Sequence, residues 1–209
     1  MKDRHRKKLI ELIERADQAR RDWENLAVRA YKIHPKQIFS PREANFIRFI
    51  QSDDFILDLG CGNAKTLKAL AEKCRGGIGI ESSPVCHKDS KRFNSSKIRI
   101  IEDNFFNVLP GLAGQYTVTL MSHVLEHVIE PIPLLQQLTS EKLLLLVPTN
   151  TWEFKMRDDL GIHSTRQPDH YREYDKDLLT SELQASGWQS EYMEYTEEEE
   201  LLCFARRVR

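Results

Sequence analysis

The sequence lacks a long apolar run. The longest one covers residues 143–147, whereas a membrane-spanning helix needs about 20 apolar residues. The pattern of a signal peptide is also missing. The basic residues 1–8 lead into a charged segment and not into an apolar stretch of about 7–15 residues. We therefore exclude a transmembrane protein, expect no membrane partner and expect a cytoplasmic location.

Cysteine is scarce, and neither sign of charge is in excess. The four cysteines, at positions 61, 74, 86 and 203, form no Cys-x-x-Cys pair and do not have the spacing of a zinc finger. We therefore expect them to be reduced thiols. The 31 lysines and arginines face 32 aspartates and glutamates, so the formal net charge is −1. This balance gives no general attraction to nucleic acid or to an anionic membrane.

The chain does contain enough apolar sequence for one full core. It has 209 residues, 40% of them hydrophobic, which suits one domain with or without an appendage. Residues 9–33 predict an amphipathic helix, because apolar residues recur every seven positions. We expect it to pack over the domain; a homodimer seam and a contact with an acidic partner are the alternatives. The apolar series are Leu9, Ala16, Trp23 and Ala30, and Leu12, Ala19, Leu26 and Ile33.

We expect residues 1–40 to form a helical lid or appendage and residues 41–209 the main domain. In the main domain, short apolar runs alternate with helical stretches, which predicts an α/β fold with a parallel sheet covered on both faces. The last two strands have no helix between them, so they predict an antiparallel hairpin at one sheet edge. The predicted strands are residues 55–59, 77–81, 98–102, 116–121, 143–147, 189–195 and 200–208.

Residues suited to a nucleoside follow the first three predicted strands, where ligands of such sheets bind. The first strand ends in Asp58-Leu59-Gly60-Cys61-Gly62-Asn63, whose glycines let the backbone approach a ligand. Glu81 ends the second strand and can accept hydrogen bonds from both hydroxyls of a ribose. Residues 102–105 follow the third strand and offer an acid for an exocyclic amine and an apolar side chain for a flat base.

The glycine loop favours S-adenosylmethionine over a dinucleotide. A dinucleotide fingerprint needs a third glycine where this chain has Lys65. The acid Asp58 would repel a pyrophosphate, whereas it suits a ligand that carries a sulfonium and an amino group. We therefore expect S-adenosylmethionine as the cofactor.

These segments resemble the class I (Rossmann-like) S-adenosylmethionine-dependent methyltransferases, with Ile-Leu-Asp-Leu-Gly-Cys-Gly-Asn as motif I. The segment Ser-His-Val-Leu-Glu-His-Val is frequent in the small bacterial type 11/12 groups. The resemblance implies a doubly wound, seven-stranded sheet that is mostly parallel with an antiparallel last strand. It covers about residues 40–209, with its motifs at residues 56–63, 79–81, 102–103, 122–128 and 143–148.

The resemblance also implies roles for individual residues. The motif I loop would line the methionine part of the cofactor, Glu81 would hold the ribose, and the residues after the third strand would hold the adenine. His123 would lie near the sulfonium and the acceptor. The implied cofactor-binding residues are Asp58, Gly60, Cys61, Gly62, Asn63, Glu81, Ser82, Asp103, Asn104, Phe105 and His123.

Two family features are absent from the sequence. The usual Lys-Pro-Gly-Gly before the fifth strand is replaced by residues 139–142, Thr-Ser-Glu-Lys, which shortens the turn at the edge of the fold. No Asn/Asp-Pro-Pro-Tyr follows the fourth strand. Because that motif grips amides and exocyclic amines in related enzymes, methylation of a base amine or of glutamine is not favoured.

The histidines admit other interpretations. His123-x-x-Glu126-His127 has the spacing of an inverted zinc-protease motif, but it follows a strand directly and would leave the glycine loop without a purpose. Some class I enzymes that methylate catechol-like or RNA 2′-hydroxyls bind a divalent metal through Glu-x-x-Glu-His at this place; here the first Glu is His123. The simplest alternative makes Glu126 and His127 supports of the loop, and we assign no metal.

The segment after the fifth strand offers further general bases. His163 and His170 lie there, and an imidazole can remove a hydroxyl proton near neutral pH. Tyr171 and Tyr174 beside His170 could wall a small-molecule pocket. We take His123 and His170 as the candidate catalytic residues. The expected lid residues are Trp23, Tyr31 and Phe39.

The sequence therefore predicts a methyltransferase that acts on the hydroxyl or carboxylate of a small molecule. The alternatives are a methyltransferase of tRNA or of an RNA 2′-hydroxyl, with the N-terminal helix against phosphates, and a non-catalytic module that binds S-adenosylmethionine. Nucleic acid is not favoured as a partner, and a homodimer through the N-terminal helix stays open.

Overall fold

The computed structural model describes residues 3–31, 42–149, 151–162, 170–196 and 199–208. Its centre is one seven-stranded sheet in the order β3-β2-β1-β4-β5-β7-β6, in which β7 runs antiparallel to both of its neighbours. The strands are β1 (Phe55–Leu59), β2 (Gly76–Glu81), β3 (Ile98–Glu102), β4 (Val118–Ser122), β5 (Lys142–Pro148), β6 (Trp188–Tyr195) and β7 (Glu200–Arg207).

Helices cover both faces of this sheet. The longest is α1, which runs for 29 residues, and three of the short helices continue as 3-10 turns at Ile47–Phe49, Lys91–Phe93 and Leu109–Leu112. The other helices are α2 (Glu43–Phe46), α3 (Lys65–Ala71), α4 (Pro84–Ser90), α5 (Phe105–Val108), α6 (Pro131–Gln137), α7 (Thr151–Leu160) and α8 (Lys176–Ala185), and α1 spans Asp3–Tyr31. None of the helices in the described ranges is long and apolar enough to cross a membrane.

Strand β5 shows why the sheet needs helices on both faces. Its side chains point alternately to the two faces, and residues 143–147 are fully buried. Leu143 and Leu145 join the core under α6 and α8, whereas Leu144 and Leu146 join the core under α2 and α3. A strand that is apolar on both faces is stable only when it is covered on both, as in a doubly wound fold.

The predicted fold class is confirmed, including the closing hairpin. Strands β6 and β7 pair antiparallel, and β7 inserts between β5 and β6. Strands β1 and β3 match their predicted ranges, and the others differ by one to two residues at their ends. The predicted division into residues 1–40 and 41–209 stays a prediction.

The predicted contact face of α1 is wrong. Along the expected stripe, Leu12, Trp23 and Leu26 are 51%, 59% and 68% exposed. The helix contacts the rest of the chain through a neighbouring face, where Ile13 is buried and Asp17 forms two hydrogen bonds of 2.7 and 2.8 Å with Arg157 of α7. Among the described residues, polar contacts to α7 and the buried Ile13 hold the helix, and the expected apolar stripe does not.

Candidate functional site

The loop after β1 is built around two glycines. Gly60 and Gly62 have φ of +67° and +55°, in the left-handed region that favours glycine. A side chain at Gly60 would also meet Cγ2 of Val124 at 2.7 Å. The backbone N–H of Cys61 donates to the carbonyl of Ile80 at 3.0 Å, which ties this loop to the end of β2.

Glu81 fixes the same loop from the side. Its Oε2 accepts a 2.7 Å hydrogen bond from the N–H of Gly62, and its Oε1 accepts a 2.7 Å bond from the N–H of Ser83. Each carboxylate oxygen has a second lone pair for a ligand. Glu81 therefore joins the turns after β1 and β2 into one rigid edge.

Asp58 lies buried at the base of this edge, with 3% of its surface exposed. Burial and, to a smaller extent, the charge of Glu81 raise the pKa of its carboxyl to about 8, and the charge of Arg42 opposes them. Asp58 is thus mostly protonated at neutral pH and can gain a charge when a cation arrives. It lines a small cavity of about 100 Å³ together with Arg42, Glu43, Gly60, Cys61, Gly62, Asn63, Lys65, Thr66 and Ser122.

A larger cavity of about 720 Å³ opens beside the small one, and Gly60 lines both. In the sheet, β2 lies on one side of β1, and β4 and β5 lie on the other. Glu81 and Ser82 therefore stand at one end of the cavity, and the residues that follow β4 and β5 stand at the other. Its exposed lining surface is mostly apolar, which suits an organic ligand. The cavity is lined by Gly60, Glu81, Ser82, Asn104, Phe105, Phe106, His123, Val124, His127, Val128, Ile129, Glu130, Pro133 and Tyr171.

The residues after β3 divide between the cavity and the solvent. Asn104 caps α5 by accepting a 3.0 Å hydrogen bond from the N–H of Phe106, and both residues line the large cavity. The rings of Phe105 and Phe106 lie 4.7 Å apart. Asp103 is exposed and is not among the lining residues; its Oδ1 accepts from the N–H of Asn104 and from Nδ2 of Asn107.

His123 directly follows β4 and has a φ of +55°, an uncommon conformation for a residue that is not glycine. Its N–H donates to the carbonyl of Leu146 at 2.8 Å, so the bend is held by β5. Nε2 lies 2.7 Å from Oε1 of Glu200, and Nδ1 lies 3.4 Å from Oε1 of Glu126. Burial lowers the pKa of His123, but the two glutamates outweigh it, so the pKa is raised.

Two more histidines meet behind this bend. The rings of His127 and His170 contact each other edge to face, with centroids 4.7 Å apart. The segment that carries His170 is held in place because the N–H of Tyr171 donates to the carbonyl of Glu126 at 2.8 Å. The ring nitrogen Nδ1 of His170 lies 3.2 Å from the carboxylate oxygen Oε1 of Glu173. The fold thus brings together Glu126, His127 and His170, although His170 is far from the other two in sequence.

The predicted site residues fall mainly at the two cavities, and their roles stay predictions. The thiol of Cys61 points away from solvent toward Gly79, and burial raises the pKa of the thiol. Trp23, an expected lid residue, lines neither cavity. His163, Phe39 and the side chain of Tyr31 lie outside the described residues.

Sequence reasoning missed Glu200. In the sequence, residues 197–200 form a run of four glutamates, a pattern that is typical of a solvated turn. In the structure, Glu200 begins β7, is 2% exposed and contacts His123. The one signal in the sequence for a buried Glu200 is its position directly before the apolar residues of the last strand. Phe106 and Ile129, which line the large cavity, were also missed.

A family model described as a methyltransferase domain matches residues 34–192. The chain belongs to this methyltransferase family. The match spans the glycine loop, Glu81 and the histidine cluster, so both ends of the large cavity lie inside the family domain. The protein is an S-adenosylmethionine-dependent methyltransferase, and S-adenosylmethionine is its cofactor.

Several solved structures share the fold. The magnesium protoporphyrin IX methyltransferase of Synechocystis PCC 6803 with bound SAH is 15% identical, with a TM-score of 0.63 and 83% of each chain covered. The mitomycin 7-O-methyltransferase MmcR is 16% identical, with a TM-score of 0.59, over 79% of this chain and 53% of that one. YcgJ from Bacillus subtilis is 10% identical, with a TM-score of 0.61, over 80% and 98%. No curated protein matches the sequence.

Proposed function

We propose that this methyltransferase transfers the methyl group of S-adenosylmethionine to a hydroxyl group of a small, largely apolar molecule. The observation that carries the proposal is the large cavity, whose two ends differ in chemistry. Glu81 and Ser82 stand at one end, and His127 and Tyr171 stand at the other with apolar side chains between.

The first end suits the nucleoside of the cofactor. The carboxylate of Glu81 is fixed by two backbone N–H groups and keeps lone pairs for the two ribose hydroxyls. Asn104 and Phe105 line the same cavity at the start of α5 and suit the adenine. Asp58 faces the small cavity, where an ionised carboxylate would attract the amino group and the sulfonium of the cofactor.

The second end suits the acceptor. Val128, Ile129 and Pro133 provide an apolar wall, and Ile129 and Tyr171 are 65% and 58% exposed, which leaves them accessible to a bound molecule. The cavity volume of about 720 Å³ has to hold part of the cofactor as well, so the acceptor is small. A polymer such as RNA would contact the cavity with one nucleotide only.

Imidazoles at this end support a hydroxyl acceptor, since methyl transfer to oxygen is helped by removal of a proton. The side chain of His127 is 37% exposed and lines the cavity, with Glu126 and His170 behind it. His123 lines the cavity too, but its two glutamates favour the protonated ring, which cannot take up a further proton. A carboxylate acceptor is less favoured because none of the described residues that line the large cavity is a lysine or an arginine.

The experiment is a methyl-transfer screen that measures S-adenosylhomocysteine release, with the methylated product identified by mass spectrometry. The panel contains phenols, catechols, aliphatic alcohols, carboxylic acids, amines and bulk tRNA. We expect turnover on one class of hydroxyl compound and an added mass of one methyl group on its oxygen. The same assay without acceptor measures background hydrolysis.

Other outcomes would replace the proposal. Methylation of tRNA that falls steeply with salt would favour the RNA alternative, because salt competes with phosphate contacts. Methylation of amines alone would contradict the choice of oxygen. Cofactor binding with no turnover on any class would favour the non-catalytic module.

A further inference from the structure

The carboxylate of Glu126 is buried without a hydrogen-bond donor among the described residues. It sits in the 3-10 turn Leu125–His127 after β4 and is 0% exposed. Neither of its carboxylate oxygens accepts a hydrogen bond from the described residues. The 3.4 Å separation from Nδ1 of His123 is an ion-pair distance without hydrogen-bond geometry. A buried carboxylate of this kind is costly unless a proton or a cation neutralises it.

Two imidazoles stand around this carboxylate. One ligand atom each from Glu126, His127 and His170 lie within 4.8 Å of one another. Nε2 of His127 is 3.9 Å from Oε1 of Glu126. The rings of His127 and His170 meet at an angle of 84°. Nitrogen ligands bind zinc at about 2.0–2.1 Å, so ligand atoms of one zinc ion are roughly 3.3 Å apart. The observed spacing of up to 4.8 Å is wider than this, so the three side chains have to close on the ion when it binds.

The third residue of the set is held in place from outside. Nδ1 of His170 faces Oε1 of Glu173 at 3.2 Å, and the side chain of Glu173 is only 5% exposed. A carboxylate behind a histidine is the arrangement that orients metal-binding imidazoles and sets their tautomer. The backbone bond from Tyr171 to Glu126 fixes the segment at the same point.

We propose that Glu126, His127 and His170 bind one divalent transition-metal ion. Two imidazoles and one carboxylate favour zinc, iron or cobalt, whereas magnesium and calcium favour all-oxygen sites. Glu173 is the outer partner of His170. This set differs from the sequence-based alternative of His123, Glu126 and His127, since Nε2 of His123 is engaged by Glu200.

The site faces the acceptor end of the large cavity, because His127 lines that cavity. Three protein ligands leave an open coordination position, and an acceptor hydroxyl bound there would ionise more easily. In the metal-bound chain His127 would therefore act as a ligand and not as a free base. Metal binding is measured without cofactor or acceptor. Its outcome is therefore separate from the outcome of the proposed methyl transfer.

The test uses the untagged full-length chain, stripped of metal with a chelator and titrated with Zn²⁺ against a chromophoric chelator. We expect one equivalent of Zn²⁺, confirmed by elemental analysis, and no competition from millimolar Mg²⁺. Co²⁺ in place of Zn²⁺ gives a visible spectrum that reports nitrogen ligation.

Four variants locate the ion. We expect His127→Ala, His170→Ala and Glu126→Gln each to weaken Zn²⁺ binding by more than about 100-fold. Glu173→Gln should weaken it by roughly 10–100-fold, the usual cost of losing an outer partner. His5→Ala, on the exposed start of α1, is the matched control and should bind as the parent does. Binding of S-adenosylhomocysteine shows that each variant is folded.

Two results would overturn the proposal. One is a parent chain that binds no Zn²⁺ at micromolar concentration. The other is stoichiometric Zn²⁺ binding that survives in folded His170→Ala and Glu126→Gln, because the ion would then lie elsewhere.

Discussion

The two ends of the large cavity are built by different means. At the cofactor end, Glu81 is bonded to the N–H groups of Gly62 and Ser83, so the backbone fixes the side chain. At the acceptor end, side chains contact side chains from distant segments, as in the pair of His123 and Glu200, which are 77 positions apart. A backbone-built end keeps its geometry when surface residues change. A side-chain-built end can be altered by one substitution, which suits the part of an enzyme that selects its acceptor.

The largest expected effect comes from the buried acid of the cofactor end. In the folded chain the carboxyl of Asp58 has its pKa raised to about 8, whereas in the unfolded chain an aspartate titrates near 4. The unfolded state therefore loses this proton first, and stability falls as pH rises between about 4 and 8, by up to roughly 1.4 kcal/mol per pH unit.

The isosteric variant Asp58→Asn has no titratable group at this position. The part of the pH dependence of stability that comes from Asp58 should therefore be absent from it. Urea unfolding of both chains at pH 5, 6, 7 and 8, without ligand, gives the comparison. Between pH 5 and pH 8, we expect the free energy of unfolding of the variant to rise relative to that of the parent by several kcal/mol. Parallel stability curves would show that Asp58 titrates normally.

The next effect separates the two ends by ligand affinity. Glu81→Ala removes the acceptor of two backbone bonds and the proposed ribose contact, so we expect binding of S-adenosylhomocysteine to weaken by about 100-fold. Glu72→Ala, an exposed glutamate after α3, is the control and should change nothing. Calorimetric titration measures the affinity of both variants. A loss of affinity below about threefold in Glu81→Ala would contradict the placement of the ribose at Glu81.

A smaller effect is expected at the acceptor end. Glu200→Gln keeps the shape of the side chain but removes the charge that faces His123, so the ring would be less firmly oriented. We expect the turnover number on an accepted hydroxyl compound to fall by about tenfold or more, while cofactor affinity stays within threefold. Glu191→Gln on the exposed side of β6 is the control. Equal losses of affinity and turnover would mean that the two ends are not separate.

The smallest effect concerns α1, which lies outside both ends. Asp17→Asn weakens the ion pair with Arg157, whose side chain is 3% exposed, and should loosen the helix from α7. We expect faster amide hydrogen exchange in residues 3–31, with unfolding of the sheet changed by less than about 1 kcal/mol. Gln18→Ala, next along the helix, is the exposed control. Loss of cofactor binding in Asp17→Asn would restore the lid role that we expected from the sequence.

The sequence predicts the sheet and the cofactor end better than the acceptor end, and the reason is physical. Strand β5 is recognisable because five consecutive buried residues need two covered faces. The glycine loop is recognisable because Gly60 and Gly62 adopt positive φ within one short segment. These features are local in the chain.

The acceptor end depends on contacts between segments far apart in sequence. Glu200 sits in an acidic run that indicates a solvated turn, and only the antiparallel insertion of β7 brings it to His123. His170 reaches Glu126 through one backbone bond from Tyr171. Helix α7 was not predicted; it lies between β5 and the segment of His170 and packs on α1 through Arg157. No short-range pattern encodes these contacts.

A crystal structure of the chain with bound S-adenosylhomocysteine tests the division of the cavity most directly. We predict that the ribose hydroxyls lie within hydrogen-bond distance of Glu81, the adenine against Phe105, and the sulfur toward His123. The space beside His127 and Tyr171 would then stay open for the acceptor. An adenosine bound beside Tyr171 and Ile129, with Glu81 contacting only Gly62 and Ser83, would contradict this assignment.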